Sequence, residues 1–170
     1  MAETHLPEPW LRGTFTDVAP VQRAVLHALE LAKEDLEKWC GNLTDTELNA
    51  RPRNLAPVAF HIRHIARSVD RLLTYAEGRE LSSAQMDALK TELAPAASHD
   101  DLFGELAEAL AQGAVRVRTF TPKQLEESRT VGKKKLPTTV GGLLVHIADH
   151  TQRHVGQAIT TAKIVLSSRD

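Results

Sequence analysis

Five of the eight histidines in this chain fall in two short windows. His146, His150 and His154 recur at i, i+4 and i+8 and are followed by Gly156-Gln157, in a segment with the apolar spacing of a long helix. Spacing of four stacks successive imidazoles one turn apart on nearly the same face. Two imidazoles so placed can chelate one divalent metal, the geometry behind helical H-x-x-x-H sites. The second window holds His61 and His64, in another predicted helix.

Which of these rings face inward follows from the apolar stripe of each helix. Advancing about 100° per residue from Ile147, the residues Val140, Leu144, Thr151, Ala158, Ala162 and Val165 fall within about 60° on one side. His154 and His150 lie inside or beside that stripe, His146 and Gln157 on its flank, and Asp149 points to solvent. In the other helix a polar ridge of His61, His64, Ser68, Arg71 and Tyr75 runs along one edge of the stripe centred on Ile65. Two such ridges facing each other across a bundle would line a polar pocket above an apolar floor, where bundles build metal and cofactor sites. Burying a pair of imidazoles requires partners for their nitrogens, and a shared metal is one solution. For His61 and His146 a simple hydrogen bond to a neighbour is the preferred reading.

The elements that must position these residues can be traced along the chain. Residues 1–16, with Pro7, Pro9 and Gly13, read as an extended N-terminal arm packed by Trp10 and Phe15. Asp17 serves as an N-cap for a helix with Val18, Val21, Val25, Leu29, Ala32, Leu36 and Trp39 inward, closed by Gly41. Thr44 and Glu47 form a capping box for a short turn. A second long helix, about 57–77, turns Val58, Ile62, Ile65, Val69, Leu72, Leu73 and Ala76 inward before Gly78. Residues 82–93 suit a short helix, and Ser98 caps a third long one carrying Leu102, Leu106, Leu110 and Val117. The stretch from Pro122 to Pro137, with Lys133-Lys134-Lys135, reads as a solvated loop. Thr138 or Thr139 opens the last helix, to about Val165. No segment alternates at period two for long. The expectation is an all-α four-helix bundle with short accessory helices, residues 17–170 forming one domain. Long connections leave room for crossovers, so simple up-down order is not required.

Composition narrows the function classes. A formal net charge of -1 gives no global pull toward nucleic acid or an anionic membrane. No run approaches the ~18 apolar residues of a membrane span, and the opening residues lack a signal-peptide pattern. One cysteine, Cys40, fits a reducing cytosol, and no partner near it suggests an activated thiol. A zincin needs Glu directly after the first histidine, but Ile147 follows His146 and Thr151 follows His150. The paired cysteines of a zinc ribbon and the Glu-x-x-His repeats of a di-iron bundle are both absent.

The string RHIARSVDRLLTYAEG, together with HIADHTQRHVGQA, resembles the DinB-like superfamily of four-helix metal-dependent enzymes. The shared features are a histidine of the second helix in a small-apolar context and H-x-x-x-H-x-G-Q in the last. The resemblance spans residues 17–166, although only these two motifs are specific. It implies that His64, His150 and His154 are a three-histidine metal set, with His61 and His146 as outer-layer or substitute ligands. The helical wheel turns His61 further inward than His64, whereas the motif selects His64. The metal implied is one divalent transition ion: zinc, nickel, iron or manganese.

Characterised relatives include S-transferases using bacillithiol or mycothiol and a mycothiol-dependent maleylpyruvate isomerase. The implied chemistry is therefore transfer of a low-molecular-weight thiol held as thiolate, or hydrolysis by activated water. Neither ridge carries a carboxylate suited to a general base, which favours the thiol. Ser68, Arg71, Tyr75, Arg153 and Gln157 are the candidates to line a small-molecule pocket, the arginines facing an anionic group. Gly156 reads as a close-packing position. The alternative function is a non-catalytic, metal-stabilised bundle or small-molecule binding module. A cytoplasmic homodimer without nucleic-acid or membrane partners is the remaining expectation.

Overall fold

Pro20, whose missing N–H costs nothing in a first helical turn, starts helix α1 (Pro20–Cys40). The structure, a computed structural model, describes residues 6–168. Helix α2 (Asp45–Asn49) begins at the Thr44–Glu47 capping box, and α3 (Val58–Ala76) follows a 3-10 turn at Pro52–Asn54. Ser82 and Gln85 form a second capping box for α4 (Ser83–Lys90). Ser98 caps α5 (His99–Thr119) by accepting from the Asp101 amide. A 3-10 turn at Pro122–Glu126 leads into strands β1 (Ser128–Val131) and β2 (Leu136–Thr139). Thr139 then accepts from the Gly142 amide and opens α6 (Val140–Leu166).

Four long helices close the bundle, but not in chain order. Helix α1 packs on α6 and α5, and α3 packs on the same two, so α1 and α3 stand diagonally. The core is the sum of the inward stripes: Leu29 and Leu36 of α1, Ile62 and Ile65 of α3, Leu102 and Leu106 of α5, and Leu144 and Ile147 of α6. Each such side chain contributes ~1.5–3 kcal/mol of transfer free energy. Gly113 allows α5 to approach α3 closely, because a Cβ there would lie 2.8 Å from Val69 Cγ1.

Three expectations need correction. Asp17 does not cap α1; its carboxylate accepts from Arg118 at 2.7 Å, and the helix begins three residues later at Pro20. Trp39 is 39% exposed, its ring covered by the ammonium groups of Lys38 and Lys163 at 5.2 and 4.3 Å. Trp10 is 62% exposed and donates to Glu8, so it does not pack the arm. The described part of the arm is fastened instead by Arg12 on Glu34 and Glu30, by Thr14 on His27, and by Phe15 against the core. Residues 1–5 of that arm lie outside the described residues.

The connection into α6 also differs from a plain loop. β1 and β2 pair antiparallel from Ser128–Thr139 to Val131–Leu136. Gly132 (φ 71°) and Lys135 (φ 47°) make the tight end, and Lys133–Lys135 stand exposed there, as expected of a solvated tract. Strands of four residues are too short for a period-two signal to emerge.

Candidate metal centre

Helices α3 and α6 bring the two histidine windows together. His64 Nε2 lies 2.8 Å from His150 Nε2, and the His154 ring centroid is 4.4 Å from that of His64 and 4.6 Å from that of His150. Among the described residues, His64, His150 and His154 offer three nitrogens all within 4.8 Å of one another. His61 is 5% exposed and sets its Nδ1 3.0 Å from His154 Nδ1. His146 is exposed, its ring centroid 5.2 Å from His150 and its Nδ1 3.8 Å from Asp149. Phe60 stacks on His64 at 5.3 Å and turns an edge of the contact toward His61 and His154, covering the cluster with an apolar ring.

A carboxylate completes the arrangement from outside both ridges. Glu92, in the connection between α4 and α5, is 5% exposed. One of its oxygens stands 2.6 Å from His64 Nδ1 and the other accepts from Arg71 at 2.6 Å. Burial alone would raise the Glu92 pKa, but the hydrogen bonds from His64 and Arg71 outweigh it and hold the carboxyl below its ordinary value. An ionised carboxylate only accepts, so His64 Nδ1 carries the proton and a neutral ring keeps its lone pair on Nε2. That lone pair points at His150. A carboxylate behind an imidazole is the usual way a ligating histidine is oriented.

The remaining rings are held neutral. Burial first, then neighbouring imidazoles, push His61, His150 and His154 down to about 4. Near neutral pH each of these rings is uncharged, with one N–H and one lone pair, so a cation entering has no second proton to displace from them. The donor set therefore suits a divalent transition ion: three imidazoles, one with a fixed tautomer, in a pocket that disfavours protonation. Imidazole nitrogens on tetrahedral zinc stand about 3.3 Å apart, so the cluster is of the right scale and the 2.8 Å gap opens slightly. With the His64 lone pair on Nε2, His150 donates its Nε2–H to it at 2.8 Å, and His150 Nδ1 is left buried without a partner.

The other candidates separate into two groups. Arg153 and Gln157, both exposed, line a cavity of about 510 Å³ with His61, Leu55 and Gly156; Arg153 also donates to Asp149 at 2.7 Å. Ser68 is buried and donates to the Ile65 carbonyl, and Arg71 is taken by Glu92. Tyr75 lies about 16 Å from His64 along the helix axis, beside a cavity of about 430 Å³ shared with the hairpin. Gly156 is not a packing position: a Cβ there would meet nothing within 4 Å. Cys40 is fully buried and its thiol is pushed up to about 12 by that burial, which removes it as a nucleophile.

Sequence reasoning missed Glu92 and Phe60. Phe60 carries a usable signal, since Phe60 and His64 are four residues apart on one face. Glu92 carries none, because it lies in a stretch without helical periodicity and reaches the cluster only through tertiary packing.

Comparison with known proteins comes to rest on the same elements. A family model described as the DinB superfamily matches residues 28–158. A crystal structure of a conserved protein from Enterococcus faecalis superposes with a TM-score of 0.72 at 22% identity, covering 88% of this chain and 99% of the other. That likeness concerns the fold. No curated protein matches the sequence. No helix among the described residues is long and apolar enough to cross a membrane.

Proposed function

We propose that this chain, which belongs to the DinB superfamily, is a metal-dependent enzyme that binds one divalent transition ion through His64, His150 and His154. Zinc, nickel, iron and manganese all suit three imidazoles. The observation that carries the reading is the size of the cluster: the ligand-competent group has three members among the described residues. Structural zinc sites are closed by four protein ligands, whereas catalytic ones use three and keep a position for substrate. His61, the natural fourth ligand, is engaged through its Nδ1 with His154 Nδ1 instead.

When bound, the ion would supply Lewis acidity that keeps a low-molecular-weight thiol as its reactive thiolate. Glu92 keeps the His64 proton on Nδ1 and the Nε2 lone pair free. Phe60 limits water around the rings. Arg153 and Gln157 face the adjoining cavity and are placed to hold an anionic or hydrogen-bonding part of a small substrate. Arg71 and Ser68 already serve protein partners, and Tyr75 is remote, so the substrate role falls to those two. Thiol transfer is preferred over hydrolysis because Glu92, held below its ordinary pKa, is a poor base for water, where a value near the working pH is wanted.

The domain span 17–170 and a homodimer remain part of this proposal. The second is supported by an apolar hollow of Pro20, Val21, Ala24, Val145 and Ala148, beside which Val145 is 58% exposed. The test is metal-free protein reloaded with zinc or nickel, then given bacillithiol, mycothiol or cysteine and an aryl halide. Metal-dependent conjugation that is lost in His154→Ala is expected. Failure to retain about one ion per chain, with no thermal stabilisation by excess zinc or nickel, would return the histidines to a structural role. A ligand binding only the folded state at 1,000 times its Kd should add ~4 kcal/mol.

A further inference from the structure

Helix α3 carries three arginines that the centre's own chemistry does not use as ligands. Arg63, Arg67 and Arg71 stand at i, i+4 and i+8, one ridge of the helix. All three reach the same stretch of chain. Arg63 Nη1 donates to the carbonyls of Thr91 (3.4 Å), Glu92 (3.1 Å) and Ala94 (2.9 Å). Arg67 Nη1 donates to the Ala88 carbonyl at 2.6 Å and the Thr91 hydroxyl at 2.9 Å, while its Nε holds Glu105 at 2.6 Å. Arg71 holds the Glu92 carboxylate itself.

We propose that Arg63, assisted by Arg67, is a positioning residue that straps the 88–94 segment onto α3 so that Glu92 fixes the orientation and tautomer of His64. The inference rests on His64 being a ligand, the reading given above. Residues 91–98 contain no helix or strand, and Ala96 has φ 63°. Such a connection is ordinarily the variable part of a fold. Here the carbonyls of Thr91, Glu92 and Ala94, just past the end of α4, converge on a guanidinium that is 9% exposed. The residue at the centre of that grip is Glu92, whose two oxygens go to different partners, Arg71 on one side and His64 on the other. A strap needed only to close the bundle would not have to place a buried carboxylate at an imidazole Nδ1. The ridge thus converts helix α3 into a template for both the ligand and the group that orients it.

The experiment uses the full chain, metal-free and 15N-labelled, at pH 7.5. Long-range 1H–15N spectra report which His64 nitrogen carries the proton, and chelator competition reports zinc affinity. Wild type is expected to show His64 as the single Nδ1–H tautomer. Arg63→Gln is expected to give a mixed or Nε2–H population and zinc binding weakened at least about tenfold, the usual scale for loss of an outer-layer partner. Arg63→Lys should recover much of both. Arg118→Met, which breaks only the Asp17 pair and the Phe15 ring contact, should change neither. An unaltered tautomer and unaltered zinc affinity in Arg63→Gln would overturn the proposal. If that variant does not fold, Arg67→Met decides: a shift in the same direction supports the strap and no shift overturns it. Wild type that shows the Nδ1–H tautomer but no zinc affinity would remove the metal reading, while a tautomer response to Arg63→Gln would still support the positioning.

Discussion

Acidification of the metal-free protein from pH 7.5 to pH 5 should unfold it earlier by an amount that the histidine cluster sets. In the unfolded chain a histidine titrates near 6.5. In the folded chain His61, His150 and His154 titrate at about 4, because burial and neighbouring imidazoles oppose their charge. Between those values the unfolded state binds more protons than the folded one, so stability is complete above about pH 6.5 and declines as pH falls toward 4. For one isolated group with these values the loss at pH 5 is about 2 kcal/mol. His150 and His154 are only partly buried and all three interact, so the cluster together should cost on the order of 3 kcal/mol. For a chain of this size that lowers Tm by roughly 6–12 °C. Stopping at pH 5 keeps most carboxylates ionised and isolates the imidazoles. Calorimetry with chelator present is the assay, with His154→Gln expected to flatten the dependence. A Tm that moves less than about 2 °C in wild type, or equally in His154→Gln, would refute the account of how these rings are held.

Glu92→Gln should both destabilise the fold and weaken the centre. It leaves the buried Arg71 guanidinium without its counter-charge, a loss of about 3 kcal/mol in urea melts, and should weaken zinc binding about 10–100-fold; wild-type values of both would deny Glu92 its role. Two glycine substitutions should move in opposite directions. Gly113→Ala forces a Cβ within 2.8 Å of Val69 Cγ1 and should lose about 1 kcal/mol despite the better helix former. Gly156→Ala meets nothing within 4 Å and should gain about 0.5–1 kcal/mol from helix propensity; the same sign for both, read by denaturant midpoint, would contradict the packing described.

What the chain discloses by itself is whatever depends on period and local capping. The stripes through Ile65 and Ile147 located α3 and α6 and placed His64, His150 and His154 where the structure brings them together, because a 3.6-residue repeat fixes faces independently of the partner. The wheel also ordered His61 deeper than His64, and the structure agrees, with His61 5% and the His64 side chain 17% exposed. The deeper ring, His61, sets its Nδ1 against His154 Nδ1. The capping box at Thr44 and the cap at Ser98 were legible for the same local reason. Glu92 was not, since a carboxylate delivered by an irregular connection has no period. Trp39 and Trp10 were misplaced because residue type suggests burial where neighbouring lysines, or a glutamate, can cover an indole at the surface.

The energetics of the cluster argue against histidines kept only for packing. Apolar residues in these positions would stabilise α3 against α6 without the need for hydrogen-bond partners. The imidazoles instead leave His150 Nδ1 buried and unpartnered and oblige a buried carboxylate, itself needing Arg71, to orient His64. Replacing such a polar set by well-packed hydrophobes is often neutral or stabilising, so its stability is a weak reason for its presence. A cation held by the three nitrogens would give the lone pairs a common partner, and depressed protonation keeps His150 and His154 uncharged near neutral pH. The stability forgone without a metal would then be recovered on binding, through an equilibrium that scales with the free metal concentration.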